Sequence, residues 1–484
     1  MRRTVTLLAA GVVLAGPTVL AFFSGGYFDG PRLVAGIVAW ALVLVAVFVS
    51  PRPLPASWPG RMALAGLALM WAWTLVSISW APLAEPAADS GERLLLYLGA
   101  LTAAAALLSE RRLARAVEPA LAAGALVVIG YGLSGRLLPG VIHLDHSAPA
   151  GGRLEQPLTY WNAEGALAAM GLALCARLAG DPTRPAHMRI AGGAAAAPLG
   201  MGVYLSYSRG AIAAGVLGLV VLLAAAPTRS QLRGIGVGLA GGLVAGAVSA
   251  AFPGVASLEG GAAARELDGG LMLAILAGLM AAAGFACARI ARAETDGALD
   301  VRPFQARRLP AVAAGLVALT LAGLLIGGLQ EKGGDTGRAR NPDAARLTSL
   351  GSRRYDYWRI GREAFFDHPL KGVGAAGFRV LWLRQRPVEG AALDVHSLEL
   401  ELATELGLVG LLPLGLLLVG VGVAGARTLR RDPALLAGGM AAAVVWVVHA
   451  SFDWDWQMPA VSLPALVIAG ALIAASESPA DRSA

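Results

Sequence analysis

Apolar stretches of about 20 residues, the length needed to cross a bilayer core as a helix, recur along the chain between short polar turns. They fall near 4–24, 31–50, 61–80, 93–109, 113–134, 162–180, 187–206, 209–227, 233–252, 269–290, 309–329, 405–426, 433–452 and 459–476. The first follows Met1-Arg2-Arg3, and no small-residue cleavage site leads from it into a polar region. It therefore reads as a retained helix and not as a removed leader. One segment breaks the rhythm. Residues 330–404 are polar, yet Tyr355, Trp358, Phe365 and Phe366 recur in them at helical spacing, which predicts amphipathic helices lying against the membrane.

Charge then orients the spans. With the N-terminus inside, the inner turns hold Arg111, Arg112 and Arg115; Arg177, Arg184 and Arg189; Arg229 and Arg233; and Arg427, Arg430 and Arg431. The short outer turns hold few basic residues and carry Glu85, Asp89, Glu259 and Asp268. This alternation obeys the positive-inside rule for fourteen helices. The long segment 330–404 then lies outside. The expected fold is all-α, a polytopic membrane helical bundle of about 12–14 helices with one large extracytoplasmic loop. The expected regions are N-terminal transmembrane helices (1–149), core helices (150–329), the large loop (330–404) and C-terminal helices (405–484).

Composition agrees with a membrane protein. Hydrophobic residues make up 56% of the 484 and charged residues 15%, too few to coat several water-soluble domains. The net charge is +7, and Lys332 and Lys371 are the only lysines. The basic residues are scattered among apolar spans and form no patch suited to nucleic acid. Cys175 and Cys287 lie inside apolar helices, with no spacing for a metal site or a disulfide framework.

Residues able to do chemistry gather at the outer ends. Ser206-Tyr207-Ser208-Arg209-Gly210 forms a tight turn whose Arg209 could fork onto a phosphate or snorkel to lipid headgroups. Arg353, Arg354, Trp358 and Arg362 lie on a predicted helix that ends at His368-Pro369-Leu370 and the following glycines. Asp394 is placed to cap a helix with His396 in its first turn, where the positive helix end favours a neutral ring. Glu405 opens the next span, and His449 to Trp456 closes the penultimate one. Arg153 and Tyr160-Trp161-Asn162 sit at another outer helix start. Mid-span ionisable residues, which an ion-coupled transporter or flippase would need, are nearly absent.

Ser208-Arg209-Gly210, the run Arg354…Trp358…His368-Pro369-Leu370…Gly372-Val373-Gly374, and His396-Ser397…Leu400…Glu405-Leu406-Gly407-Leu408…Gly410 together resemble the O-antigen ligase and polymerase superfamily. Tyr160-Trp161-Asn162 and the His449–Asp453 segment resemble it too. The similarity covers roughly 150–460, and the first four or five spans match only in hydrophobicity. It implies a bacterial inner-membrane glycosyltransferase that works on the extracytoplasmic side. The donor would be an undecaprenyl-diphosphate-linked oligosaccharide and the acceptor a hydroxyl of a glycan, lipid or protein. His396 would be the catalytic base and Arg209 and Arg354 the diphosphate holders. Arg153, Tyr160, Asn162, Arg353, Trp358, Glu405, His449 and Asp453 would support them. No cofactor or metal is implied. Ser397 stands where the family often has Asn, which leaves acceptor choice open. Polymerase, ligase and protein O-glycosylation remain alternatives within the class. A non-enzymatic flippase or multi-pass transporter is the alternative outside it.

Overall fold

The computed structural model describes residues 1–304, 308–309, 311–316, 354–387 and 389–477. Arg353, most of the predicted span 309–329 and residues 330–353 lie outside the described residues. The chain is a polytopic bundle of helices, with no strand among the described residues.

In chain order the helices are α1 (Arg2–Ala21), α2 (Asp29–Val49), α3 (Trp58–Ser77), α4 (Ala84–Leu107), α5 (Arg111–Leu137), α6 (Trp161–Gly180), α7 (Ala186–Leu205), α8 (Arg209–Ala225) and α9 (Arg229–Ser249). After the one-turn α10 (Pro253–Ala256) come α11 (Ala262–Thr295), α12 (Arg354–Asp367), α13 (Phe378–Gln385), α14 (Leu398–Arg431), α15 (Pro433–Ala450) and α16 (Pro459–Glu477). Ten of them are long and apolar enough to cross a membrane. The predicted spans 93–109, 187–206 and 209–227 correspond to α4, α7 and α8, which pack into the same bundle.

Burial arranges the helices around a centre. The apolar stretch of α16 is buried throughout and that of α6 over 94% of its length, against 17% for α2 and 28% for α11. A peripheral helix leaves leucine and valine exposed at little cost, because lipid solvates them as well as protein does. Several starts are closed by the side chain the sequence supplies at the cap. Ser57 accepts from the Gly60 N–H, Ser208 from Ala211, Thr228 from Gln231, Ser397 from Leu400 and Asp432 from Ala434.

One end of the bundle is tied by ion pairs among residues of the predicted inner turns. Arg184 reaches Glu118 at 3.0 Å, Arg177 reaches Asp181 at 3.0 Å, and Arg189 reaches Glu294 at 2.7 Å. The second Glu118 oxygen accepts from the backbone N–H groups of Gly438 and Gly439 at the start of α15. The opposite end carries the predicted functional residues.

The described part of the long loop is ordered there by its own small core. Ile360, Phe378, Trp382, Ala392 and Val395 pack together, flanked by Tyr357 and Trp358. The Lys371–Gly377 turn is then pinned to α14. Val373 and Gly374 donate to the carbonyls of Thr404 and Glu405, and Leu408 donates to that of Pro369. Two glycines permit this approach. Both Gly372 and Gly407 have positive φ (64° and 65°), and a Cβ on either would strike backbone of the other segment.

Candidate active site

Asp453, just beyond the end of α15, joins three parts of the chain. Its carboxylate accepts from the Arg354 guanidinium at 2.5 Å and from the Tyr160 hydroxyl at 2.8 Å. The Tyr160 oxygen in turn accepts from the Asn162 amide at 2.7 Å. Burial opposes ionisation of Asp453, but Arg354, with His449 and His396 nearby, outweighs it and holds the carboxyl below its usual range. Burial and the Asp453 charge keep the Tyr160 phenol protonated far above its ordinary range, so Tyr160 remains a donor.

His396 stands one residue before the α14 cap. The cap is Ser397, whose hydroxyl accepts from Leu400, and not Asp394. His396 therefore precedes the helix instead of occupying its first turn, which corrects the sequence expectation. It adopts a left-handed backbone conformation, φ 62°, which a residue with a Cβ takes only where its surroundings enforce it. Tyr207 (φ 48°) and Thr159 (φ 64°), immediately before Ser208 and Tyr160, are held in the same region. Three strained residues thus lie within two positions of candidate site residues.

The His396 Nδ1 lies 2.9 Å from the Asp394 carbonyl. A carbonyl only accepts, so Nδ1 carries the proton in the neutral ring and Nε2 keeps a free lone pair. Enclosure between Tyr357 (5.0 Å) and Trp454 (6.4 Å), ring centre to ring centre, fixes the imidazole. Trp358 donates to the His396 carbonyl at 3.3 Å. Loss of hydration disfavours imidazolium; Asp453 partly offsets this and the Arg354 cation adds to it, leaving the His396 pKa at about 4.

His449 plays a different structural part. Its ring is fully buried, with Nδ1 in a short contact to the Asp455 carboxylate and Nε2 3.4 Å from the Ser208 hydroxyl. Ser208 caps α8, whose first residue is Arg209. The pair Asp455–His449 thus braces the turn that presents Arg209, and Arg209 lies close enough to Arg354 to repel it.

The remaining predicted residues occupy the surroundings. Arg153 donates to the Ala150 and Pro149 carbonyls and stacks 3.7 Å over the Trp161 ring. Glu405 accepts from the backbone N–H groups of Ala376 and Phe378, so it holds the glycine turn. Asp455 and Trp454 were missed as individual site residues. Their neighbour Asp453 marked the segment, but nothing in a single sequence shows which buried groups they meet.

A family model described as O-Antigen ligase matches residues 194–415. That segment, from within α7 to the middle of α14, is similar to the O-antigen ligase family. No curated protein matches the chain at a significant level. The matched segment contains Arg209, Arg354, His396 and Glu405. Tyr160, Asn162, His449, Asp453 and Asp455 lie outside it and reach the same cluster through the fold.

Proposed function

We propose that the chain transfers a glycan from an undecaprenyl-diphosphate-linked donor to an acceptor hydroxyl, at the extracytoplasmic face of a bacterial inner membrane. The observation that carries this reading is a division of exposure within one cluster. Arg209, Arg354 and His396 keep accessible surface, whereas Tyr160, Asn162, His449, Asp453 and Asp455 are buried behind them. Two cations and one neutral imidazole with a free lone pair are thus the accessible groups, and the buried groups brace them.

In this reading Arg209 and Arg354 bind the diphosphate through charge-assisted hydrogen bonds. His396 Nε2 removes the proton from the acceptor hydroxyl as that oxygen bonds to the anomeric carbon. The bond from this carbon to the diphosphate oxygen breaks, and undecaprenyl diphosphate leaves with its charge stabilised by the two arginines. Attack opposite the leaving group inverts the anomeric centre. A base with a pKa of about 4 is weak at neutral pH. A bound diphosphate brings negative charge beside the ring and masks Arg354, and both effects raise the imidazole pKa toward the working pH.

The experiment is a transfer assay with the purified chain in a bilayer and a lipid-diphosphate-linked oligosaccharide of defined anomeric configuration. The reading predicts a product of opposite configuration and loss of transfer in His396→Ala. A retained configuration would rule out direct displacement. Movement of intact donor across the bilayer without transfer would favour the flippase alternative.

A further inference from the structure

A polar cavity of about 120 Å³ opens beside this cluster. Tyr27, Arg93, Arg379, Asp394, Glu401 and Gln457 supply the wall groups that matter. Trp454 connects the two neighbourhoods, its ring 4.3 Å from that of Tyr160 in the cluster and 5.5 Å from that of Tyr27 in the cavity wall. Asp394 links cavity and base. Its carboxyl lines the cavity while its carbonyl fixes the His396 tautomer.

The cavity's polar groups are incompletely paired. Arg93 Nε, Arg379 Nε and Gln457 Oε1 are buried atoms without a hydrogen-bond partner, on side chains that line this space. Arg93 is 8% exposed and Gln457 6%, so bulk water does not satisfy them freely. Buried polar groups left open in a concave site are suited to pair with a polar ligand. Their kinds narrow the ligand. Arg93 and Arg379 offer guanidinium donors, Asp394 and Glu401 carboxylate acceptors, and Gln457, whose amide N–H already bonds Glu401, an open carbonyl oxygen. A simple anion would meet Asp394 and Glu401, and a simple cation would meet Arg93 and Arg379. A ring carrying several hydroxyls, each both donor and acceptor, pairs with both sets. An apolar acceptor would leave Arg93 Nε, Arg379 Nε and Gln457 Oε1 unpaired.

We propose that this cavity binds the acceptor as a saccharide ring and presents one of its hydroxyls to His396 Nε2. The assignment rests on the transferase reading for its role in catalysis but predicts saccharide binding independently of turnover. Arg93 and Gln457 would set which sugar is accepted, because a site built to pair hydroxyls rejects a ring that lacks them.

The test is a titration of the purified full chain in lipid nanodiscs, without donor, by saturation-transfer NMR. The probes are the methyl glycosides of glucose, galactose, mannose, rhamnose and N-acetylglucosamine. At least one should bind, and Arg93→Gln and Gln457→Ala should each weaken that binding at least tenfold. Arg93→Lys should fall between Arg93→Gln and the unaltered chain, and Arg354→Ala should stay within twofold of it. Thermal melts identify any variant that fails to fold, and the two cavity substitutions lie on different elements, so either one suffices. Absence of binding by all five probes would overturn the proposal. So would unchanged binding in both cavity variants, or equal loss in Arg354→Ala, which would place the saccharide on the donor side. Glycoside binding without any transfer activity would instead sink the transferase reading and leave the cavity assignment standing.

Discussion

Arg354 and Asp453, 99 residues apart in the chain, meet at 2.5 Å and join the first turn of α12 to the segment following α15. The carboxylate is buried and the guanidinium side chain is 25% exposed. The pair therefore anchors a cation while leaving part of it available to a ligand.

Removing the anchor should cost both stability and donor affinity. Breaking a fully buried ion pair costs about 3–5 kcal/mol, and the partial exposure of Arg354 lowers the expectation for Asp453→Ala to about 2 kcal/mol. Thermal unfolding in nanodiscs checks the first effect and donor KM the second. An unchanged donor KM would mean that Arg354 finds its position without Asp453.

The pH dependence separates free enzyme from donor complex. His396 has its folded pKa lowered to about 4 from the ordinary 6.5. The acid limb of kcat/KM should accordingly fall near pH 4, and that of kcat at higher pH, because donor charge raises the same group. Stability follows the sign of the shift. Between pH 6.5 and 4 the unfolded chain binds a proton at this position and the folded chain does not, so stability falls as pH drops through that window. His396→Gln should remove this contribution to the slope, which melts at a series of pH values would record.

Asp455 should matter through Arg209 and not through the proton. Asp455→Ala releases the His449 ring that braces Ser208, so donor KM should rise by about tenfold, on the scale of one lost positioning contact. The acid limb assigned to His396 should remain in place. A shift of that limb in Asp455→Ala would assign the titration to His449 instead.

Glu405 should prove structural. Its two oxygens accept from buried N–H groups of Ala376 and Phe378, and leaving buried donors unpaired costs about 1–3 kcal/mol each. Glu405→Ala should lower Tm clearly, whereas Glu405→Gln, which keeps one acceptor, should lower it less. Folded Glu405→Gln should retain the His396 pH profile.

Much of this was legible in the chain. Bilayer thickness fixes helix length, so apolar stretches such as 113–134 and 459–476 marked α5 and α16 within a few residues. The aromatic spacing of Tyr355, Trp358 and Phe365 marked α12 in the same way. Arg209, Arg354, His396 and His449 were expected at one end, and the contacts of Asp453, Trp454 and Ser208 bring them together. The exact start of α14 was not legible, because Asp394 and Ser397 are both good caps. Their tertiary neighbours decide between them: the Asp394 side chain faces Arg93 and Arg379, leaving the cap to Ser397. The distinction between reachable His396 and buried His449 likewise depends on packing from other helices, which local spacing does not encode.

The central claim is that the arginines hold the donor while His396 performs the proton transfer. Equilibrium binding of undecaprenyl-diphosphate-linked oligosaccharide to nanodisc-embedded protein, measured beside turnover, separates the two roles. His396→Ala should bind the donor within about twofold of the unaltered chain while transfer falls about 10²–10⁴-fold. Arg354→Ala should bind it at least about tenfold more weakly. Normal donor binding by Arg354→Ala, or undiminished transfer by His396→Ala, would contradict the account.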